Sequence, residues 1–195
     1  MSTFLAIALP PGLLEQARAG ERGAQEALYR LAAAPVYTLL RRLVLRPAVA
    51  EELLQEVFIE VLRNLQHCQG ADTFPGWVRS IAVSKALMHL RSPWSRRLLS
   101  GEDCALASLP ADASAATDSD AWSGALERAL NALPAQGRSI VWLHDVEGYT
   151  HAEIAQLYGR TASFSKSQLA RAHEALRAML EPQAGVDGCT LVSRS

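Results

Sequence analysis

No apolar run in this chain approaches the roughly 18–20 residues that cross a bilayer as a helix. The opening MSTFLAIALPPGLL is briefly apolar, but it has no basic leader and no small-residue cleavage site, so it does not read as a secretory signal. Cysteine is scarce and scattered: Cys68, Cys104 and Cys189 stand far apart, with no C-x-x-C spacing. That excludes a disulfide frame and a zinc knuckle and points to a reducing, cytoplasmic setting. Charge of one sign is also missing. Nineteen Lys and Arg against 20 Asp and Glu leave a net charge of −1, so any nucleic-acid contact must come from local segregation of charge. The equipment of an enzyme is absent too. There is no G-x-x-x-x-G-K-S/T phosphate loop and no His/Cys cluster for a metal, and His144-Asp145 and the scattered serines make no spaced nucleophile–base set. The expectation is a protein that is not an enzyme, with no cofactor and no metal.

What is present is helix. An apolar fraction of 49% over 195 residues suffices for real cores, and strand-like alternation is nearly absent. The predicted fold is all-α, with two small helical domains. The first spans residues 13–95 and the second residues 122–181. Between them, residues 96–121 belong to SPWSRRLLSGEDCALASLPADASAATDSD, rich in Ser, Ala and Asp with no helix-long apolar stripe. This reads as a flexible linker, or else as a long ordered loop. Residues 182–195 read as a frayed tail.

In the first domain the clearest helix runs from Glu51 to Gln66. Leu54, Phe58, Val61 and Leu65 form one stripe, widened by Leu53, Val57 and Leu62. Glu52, Gln55, Glu56 and Glu60 fill the remainder, giving an acidic front. Such a front is either simply solvated or docks a basic partner surface. A second helix, roughly Pro75 to Arg91, sets Arg79, Lys85 and Arg91 beside Trp77. Cations next to an aromatic suit single-stranded nucleic acid, where bases stack and phosphates pair with charge, although the pattern favours Trp77 as core over a stacking platform.

The second domain holds SIVWLHDVEGYTHAEIAQLYGRTASFSKSQLARAHEALRAML, from Ser139 to Leu180. Thr150-His-Ala-Glu153 has the form of a capping box, and Gly159 is placed to end the short helix that follows in a left-handed conformation. A long helix then starts near Thr161 or Ser163. This is the layout of a helix-turn-helix DNA reader. Ser165, Leu169, Ala172, Leu176 and Leu180 make the inner face, while Phe164, Ser167 and Arg171 project outward, flanked by Lys166, Gln168 and Arg177. Lys166 and Arg171 suit phosphate or guanine, Gln168 adenine, and Phe164 a thymine methyl. Two positions break the pattern. Ser165 occupies an inner site that favours an apolar residue, and Phe164 either turns into the core or contacts DNA.

These segments, in this order, resemble the sigma factors of bacterial RNA polymerase, in particular the extracytoplasmic-function (ECF) group of the sigma-70 family. AEELLQEVFIEVLRNL is similar to the family's polymerase-binding helix and FPGWVRSIAVSKALMHLRS to its −10 reading helix. DVEGYTHAEIA and the K-S-x-L-x-R-A portion are similar to its −35 domain. The resemblance implies a factor that directs promoter-specific initiation. Glu51, Glu52, Gln55 and Glu56 would meet the clamp helices of the polymerase β′ subunit, the β subunit would be a further contact, and the linker would thread the enzyme near its active-site and RNA-exit channels. Arg79, Ser84, Lys85 and Arg91 would hold the melted −10 strand, and Arg160, Phe164, Lys166, Ser167, Gln168 and Arg171 would bind −35 DNA. The implied partners are core polymerase, promoter DNA and either an anti-sigma factor or a Ser/Thr kinase, with no membrane. A stand-alone helix-turn-helix regulator is the alternative.

Several positions differ from the family's usual pattern. Val49-Ala50-Glu51-Glu52 stands where Asp-Ala-Glu-Asp is usual, Ser84 where Asn is frequent, Met88 where an acid is frequent, and Gln168 where Arg is common. Some members of the wider family gain charge on the acidic helix through a Ser/Thr kinase. Here no hydroxyl residue lies between Thr38 and Thr73, so that face offers a kinase no target and relies on carboxylates such as Glu51.

Overall fold

The computed structural model describes residue 4, residues 7–92 and residues 118–181, with side chains from residue 124 onward in the last stretch. The proposed tail lies outside these residues, as does the linker up to residue 117. All regular structure among the described residues is helical. None of these helices is long and apolar enough to cross a membrane.

Four helices build the first cluster: α1 (Leu13–Arg18), α2 (Arg22–Val44), α3 (Pro47–Arg63) and α4 (Phe74–Arg91). α2 is the central element and packs on each of the other three. Its buried side chains Leu28, Ala32, Val36, Leu39, Leu40 and Leu43 repeat at three- and four-residue intervals, the period that keeps one face inward. Against them lie Leu53, Val57 and Val61 of α3 and Phe74, Val78 and Ala82 of α4. Pro47 opens α3, where a missing N–H costs nothing. α3 ends at Arg63, and one 3₁₀ turn over Leu65–His67 carries the chain on.

The second cluster holds α5 (Asp118–Ala132), α6 (Ala135–Val141), α7 (His151–Tyr158) and α8 (Ala162–Leu180). α5 therefore begins slightly before the point where apolar periodicity becomes legible. α6 runs into a π-turn over Trp142–Val146. Ile140, Leu143 and Ile154 are fully buried, with Leu169, Ala172 and Leu176 of α8 closing over them. Gly137 of α6 faces α8, where a Cβ would meet that of Ala172 at 3.5 Å, an ordinary van der Waals contact.

The two clusters pack on each other, through α2 with α6 and α4 with α7, so their buried residues form one continuous core. Arginines close the joint. Arg138, 4% exposed, donates to the Leu133 carbonyl at 3.0 Å and to the Leu43 carbonyl at 3.1 Å. Leu43 sits in the last turn of α2, whose carbonyls have no helical donor, and a cation there also suits the helix dipole. Arg91 does the same for α7, donating to Leu157 at 3.2 Å. Arg42 pairs with Glu127 and lies over the Trp142 ring, 5.2 Å from its centroid.

Candidate nucleic-acid interface

The helix-turn-helix is assembled by short-range hydrogen bonds. Thr150 Oγ1 accepts from the Glu153 amide at 3.3 Å, and the Thr150 amide donates to the Glu153 carboxylate at 2.8 Å, so both halves of the capping box are made. Those bonds, the backbone one foremost, hold the Glu153 carboxyl below its ordinary value. Gly159 ends α7 at φ 61°, a conformation glycine adopts without the steric cost of a Cβ. Thr161 then caps α8 by accepting from the Phe164 amide at 3.3 Å.

This turn aims the N-terminal half of α8 into solvent. Lys166, Ser167 and Arg171 are exposed, and Gln168 is half-buried. Arg160, also exposed, lies over the Phe164 ring at 6.0 Å. Phe164 is half-buried and leans on Tyr158, with ring centroids 6.0 Å apart. It therefore divides its surface between the core edge and the outer face. None of Arg160, Lys166 or Arg171 makes an ion pair among the described residues. Ser165 is fully buried, and its hydroxyl meets His151 Nδ1 at 3.1 Å, which accounts for a polar residue on the inner face. Behind the reader, the Asp145 carboxylate bridges His144 at 2.8 Å and His173 at 2.7 Å, and His144 stacks on His151. Partial burial opposes ionisation of Asp145, but the two histidine hydrogen bonds outweigh it and hold the carboxyl below its usual range.

The first cluster presents a different picture. Glu51, Glu52, Gln55 and Glu56 are all exposed along α3. On α4, Ser84 and Met88 face solvent, but the cations are occupied. Lys85 Nζ lies 3.3 Å from Glu60 and 3.8 Å from Glu56. Arg79 donates to the Glu147 carbonyl at 3.0 Å and sits 3.6 Å from the Glu147 carboxylate. Its guanidinium also covers the Tyr149 ring, 4.9 Å from the centroid. Arg91 caps α7, as described above. All three basic residues of α4 named from sequence thus have intramolecular partners, two of them on the other domain.

Sequence reasoning offered Trp77 as core or as a stacking surface but missed the pocket beside it. Trp77 is half-buried, tilted against Phe74, and its other side walls an open pocket of about 430 Å³ shared with His67, Gln69, Asp72, Thr73 and Gly76. The signal was available in Gly76-Trp77, an indole beside a residue that leaves room for a ligand.

The two helical clusters correspond to two matched families. The Sigma-70 region 2 model matches residues 28–96, and the Sigma-70, region 4 model matches residues 123–176. The chain belongs to the sigma-70 family. It is an ECF member, similar to RNA polymerase sigma factor CarQ of Myxococcus xanthus, with 32% identity over 86% of this chain and 95% of that relative. ECF RNA polymerase sigma factor SigE of Mycolicibacterium smegmatis is also 32% identical, over 78% of this chain and 60% of its own length. In fold the chain matches the sigma factor RpoE of Bartonella quintana, crystallised with the anti-sigma factor NepR, at a TM-score of 0.55 and 19% identity over 81% of this chain and 97% of that one. As a sigma factor it binds RNA polymerase and directs transcription initiation, and it is not itself a catalyst.

Proposed function

We propose that this sigma factor divides promoter reading between its two domains. Residues 122–181 read −35 duplex through the exposed face of α8, with Arg160, Phe164, Lys166, Ser167, Gln168 and Arg171 as contacts. Residues 13–95 hold the melted −10 strand along α4 and dock polymerase through Glu51, Glu52, Gln55 and Glu56 of α3. The observation that carries this reading is the uncompensated basic face of α8, set at the N-terminal end of the second helix of a capped helix-turn-helix. The Trp77 pocket adds an aromatic wall suited to an unstacked base.

The packed arrangement bears on how the reading works. Elements at −10 and −35 lie about 25 base pairs apart, roughly 85 Å at 3.4 Å per pair. α4 and α7 touch in this structure, so both elements are reached only after the domains separate. Separation would also free Arg79 and Arg91 for phosphate. Polymerase, by holding the domains at promoter spacing, would turn two weak contacts on one tether into avid binding. An anti-sigma factor gripping the packed pair would oppose that step. Core polymerase places the work in the cytoplasm.

Run-off transcription with core polymerase tests the proposal. Promoter-specific RNA should appear only when the factor is added, and should fall in Glu51→Ala and in Lys166→Ala. DNA binding without initiation would sink it in favour of a stand-alone regulator.

A further inference from the structure

Between α3 and α4 lies an open groove of about 240 Å³, lined by Glu60, Ser80, Ile81, Ser84, Lys85 and Met88. Its chemistry is that of a nucleotide subsite. Lys85 supplies a cation, the Ser84 hydroxyl is exposed, and Ile81 and Met88, the latter 61% exposed, offer an apolar strip. Ser80 has spent its proton on the Trp77 carbonyl at 2.7 Å and presents an acceptor. Glu60 is the exception. Its carboxylate is the one negative charge in the lining and holds the lysine there at 3.3 Å. It is half-exposed and anchored from behind by Asn64 Nδ2 at 3.3 Å.

We propose that Glu60 sets the affinity of this groove for single-stranded nucleic acid by competing with phosphate for Lys85. The inference rests on reading α4 as the −10 face and adds a determinant to it. Phosphate entering the groove must displace a carboxylate from Lys85 and then sit beside that carboxylate, so the site is attenuated twice by one residue. Glu56, at 3.8 Å from the same nitrogen, adds a weaker hold on Lys85. Attenuation of this kind suppresses stray binding of single strands while leaving the apolar and hydroxyl contacts, which carry sequence information, unaltered.

Glu60→Gln removes the charge, keeps the shape and keeps an acceptor for Asn64. The full chain would be titrated with a fluorescein-labelled 12-nucleotide single strand of mixed sequence at several salt concentrations. E60Q should bind about three- to tenfold tighter than wild type, and its log–log salt slope should steepen by about 0.7, the value for one added phosphate contact on a single strand. The E60Q/K85A double variant should show neither gain. Acylation of Lys85, followed by mass spectrometry, should be faster in E60Q. E60Q that binds no tighter than wild type, or a gain that survives in the double variant, overturns the inference. Run-off transcription by the wild-type factor reports separately on the −10 reading: initiation without an E60Q effect rejects the role of Glu60 alone.

Discussion

α8 and α4 carry the same kinds of residues in opposite states. Lys166 and Arg171 stand in solvent with no ion-pair partner among the described residues, whereas Arg79, Lys85 and Arg91 are each held by another element. The contrast shows that a basic helix face is not by itself a nucleic-acid surface. What matters is whether the surrounding fold has already supplied the anion. On α8 the capping box and Gly159 set the turn that leaves the first half of the helix exposed. On α4 the acidic row of α3 lies on one side and Glu147 on the other.

Several substitutions would break or sharpen that contrast. The largest effect is expected at the joint itself. Arg138→Met keeps the side chain's bulk but strips the donors from the Leu43 and Leu133 carbonyls, and should cost about 2–3 kcal/mol in urea unfolding. An unchanged midpoint would mean that water replaces the guanidinium. Arg171→Ala should weaken −35 duplex binding by the holoenzyme roughly tenfold, about 1.4 kcal/mol, whereas Arg79→Ala should leave duplex affinity untouched. Equal losses from both would erase the distinction between the two faces. Thr150→Ala removes the cap that orients α7 and should lower stability by about 1 kcal/mol, read as a shift in thermal midpoint.

Smaller again is Glu147→Gln. It keeps the carbonyl contact but removes the charge from a pair whose carboxylate is buried and whose guanidinium is partly exposed, weakening the grip on Arg79 by about 1 kcal/mol. Energy transfer between dyes on the two domains should report a several-fold rise in the separated form. An unaltered distance distribution would show that Arg138 and the apolar contacts suffice to hold the domains. The mildest effect is expected from pH. Burial holds the His151 imidazole below its ordinary 6.5. A depressed folded value means stability that is complete above pH 6.5 and is lost as pH falls through the lower folded value. Thermal melts at pH 7.5 and 5.5 should therefore differ, and His151→Asn, which retains a partner for Ser165 but does not titrate, should narrow the gap. A wider gap in that variant would contradict this account of His151.

Much of the fold was legible because its determinants are local. The apolar stripe of α3 repeats every three or four residues, and the capping box joins Thr150 to Glu153 within one turn. Neither depends on the rest of the molecule. Ser165 and Phe164 were visible as irregularities but not resolvable. The answer to Ser165 is His151, and the answer to Phe164 is the ring of Tyr158, both on the preceding helix. Lys85 read as a nucleic-acid contact because it shares a helix with Trp77, Arg79 and Arg91, while its actual partners sit on α3.

By itself, then, the sequence determined an all-helical chain, the capped helix-turn-helix and the acidic and basic helix faces, since each follows from periodicity or from hydrogen bonds spanning a few residues. Only the tertiary structure decided which cations are available. Arg138 meets a carbonyl 95 positions away and Arg79 one 68 positions away. A long side chain satisfies whichever unpaired carbonyl or carboxylate the packing of apolar faces brings within reach, and no local pattern specifies that choice.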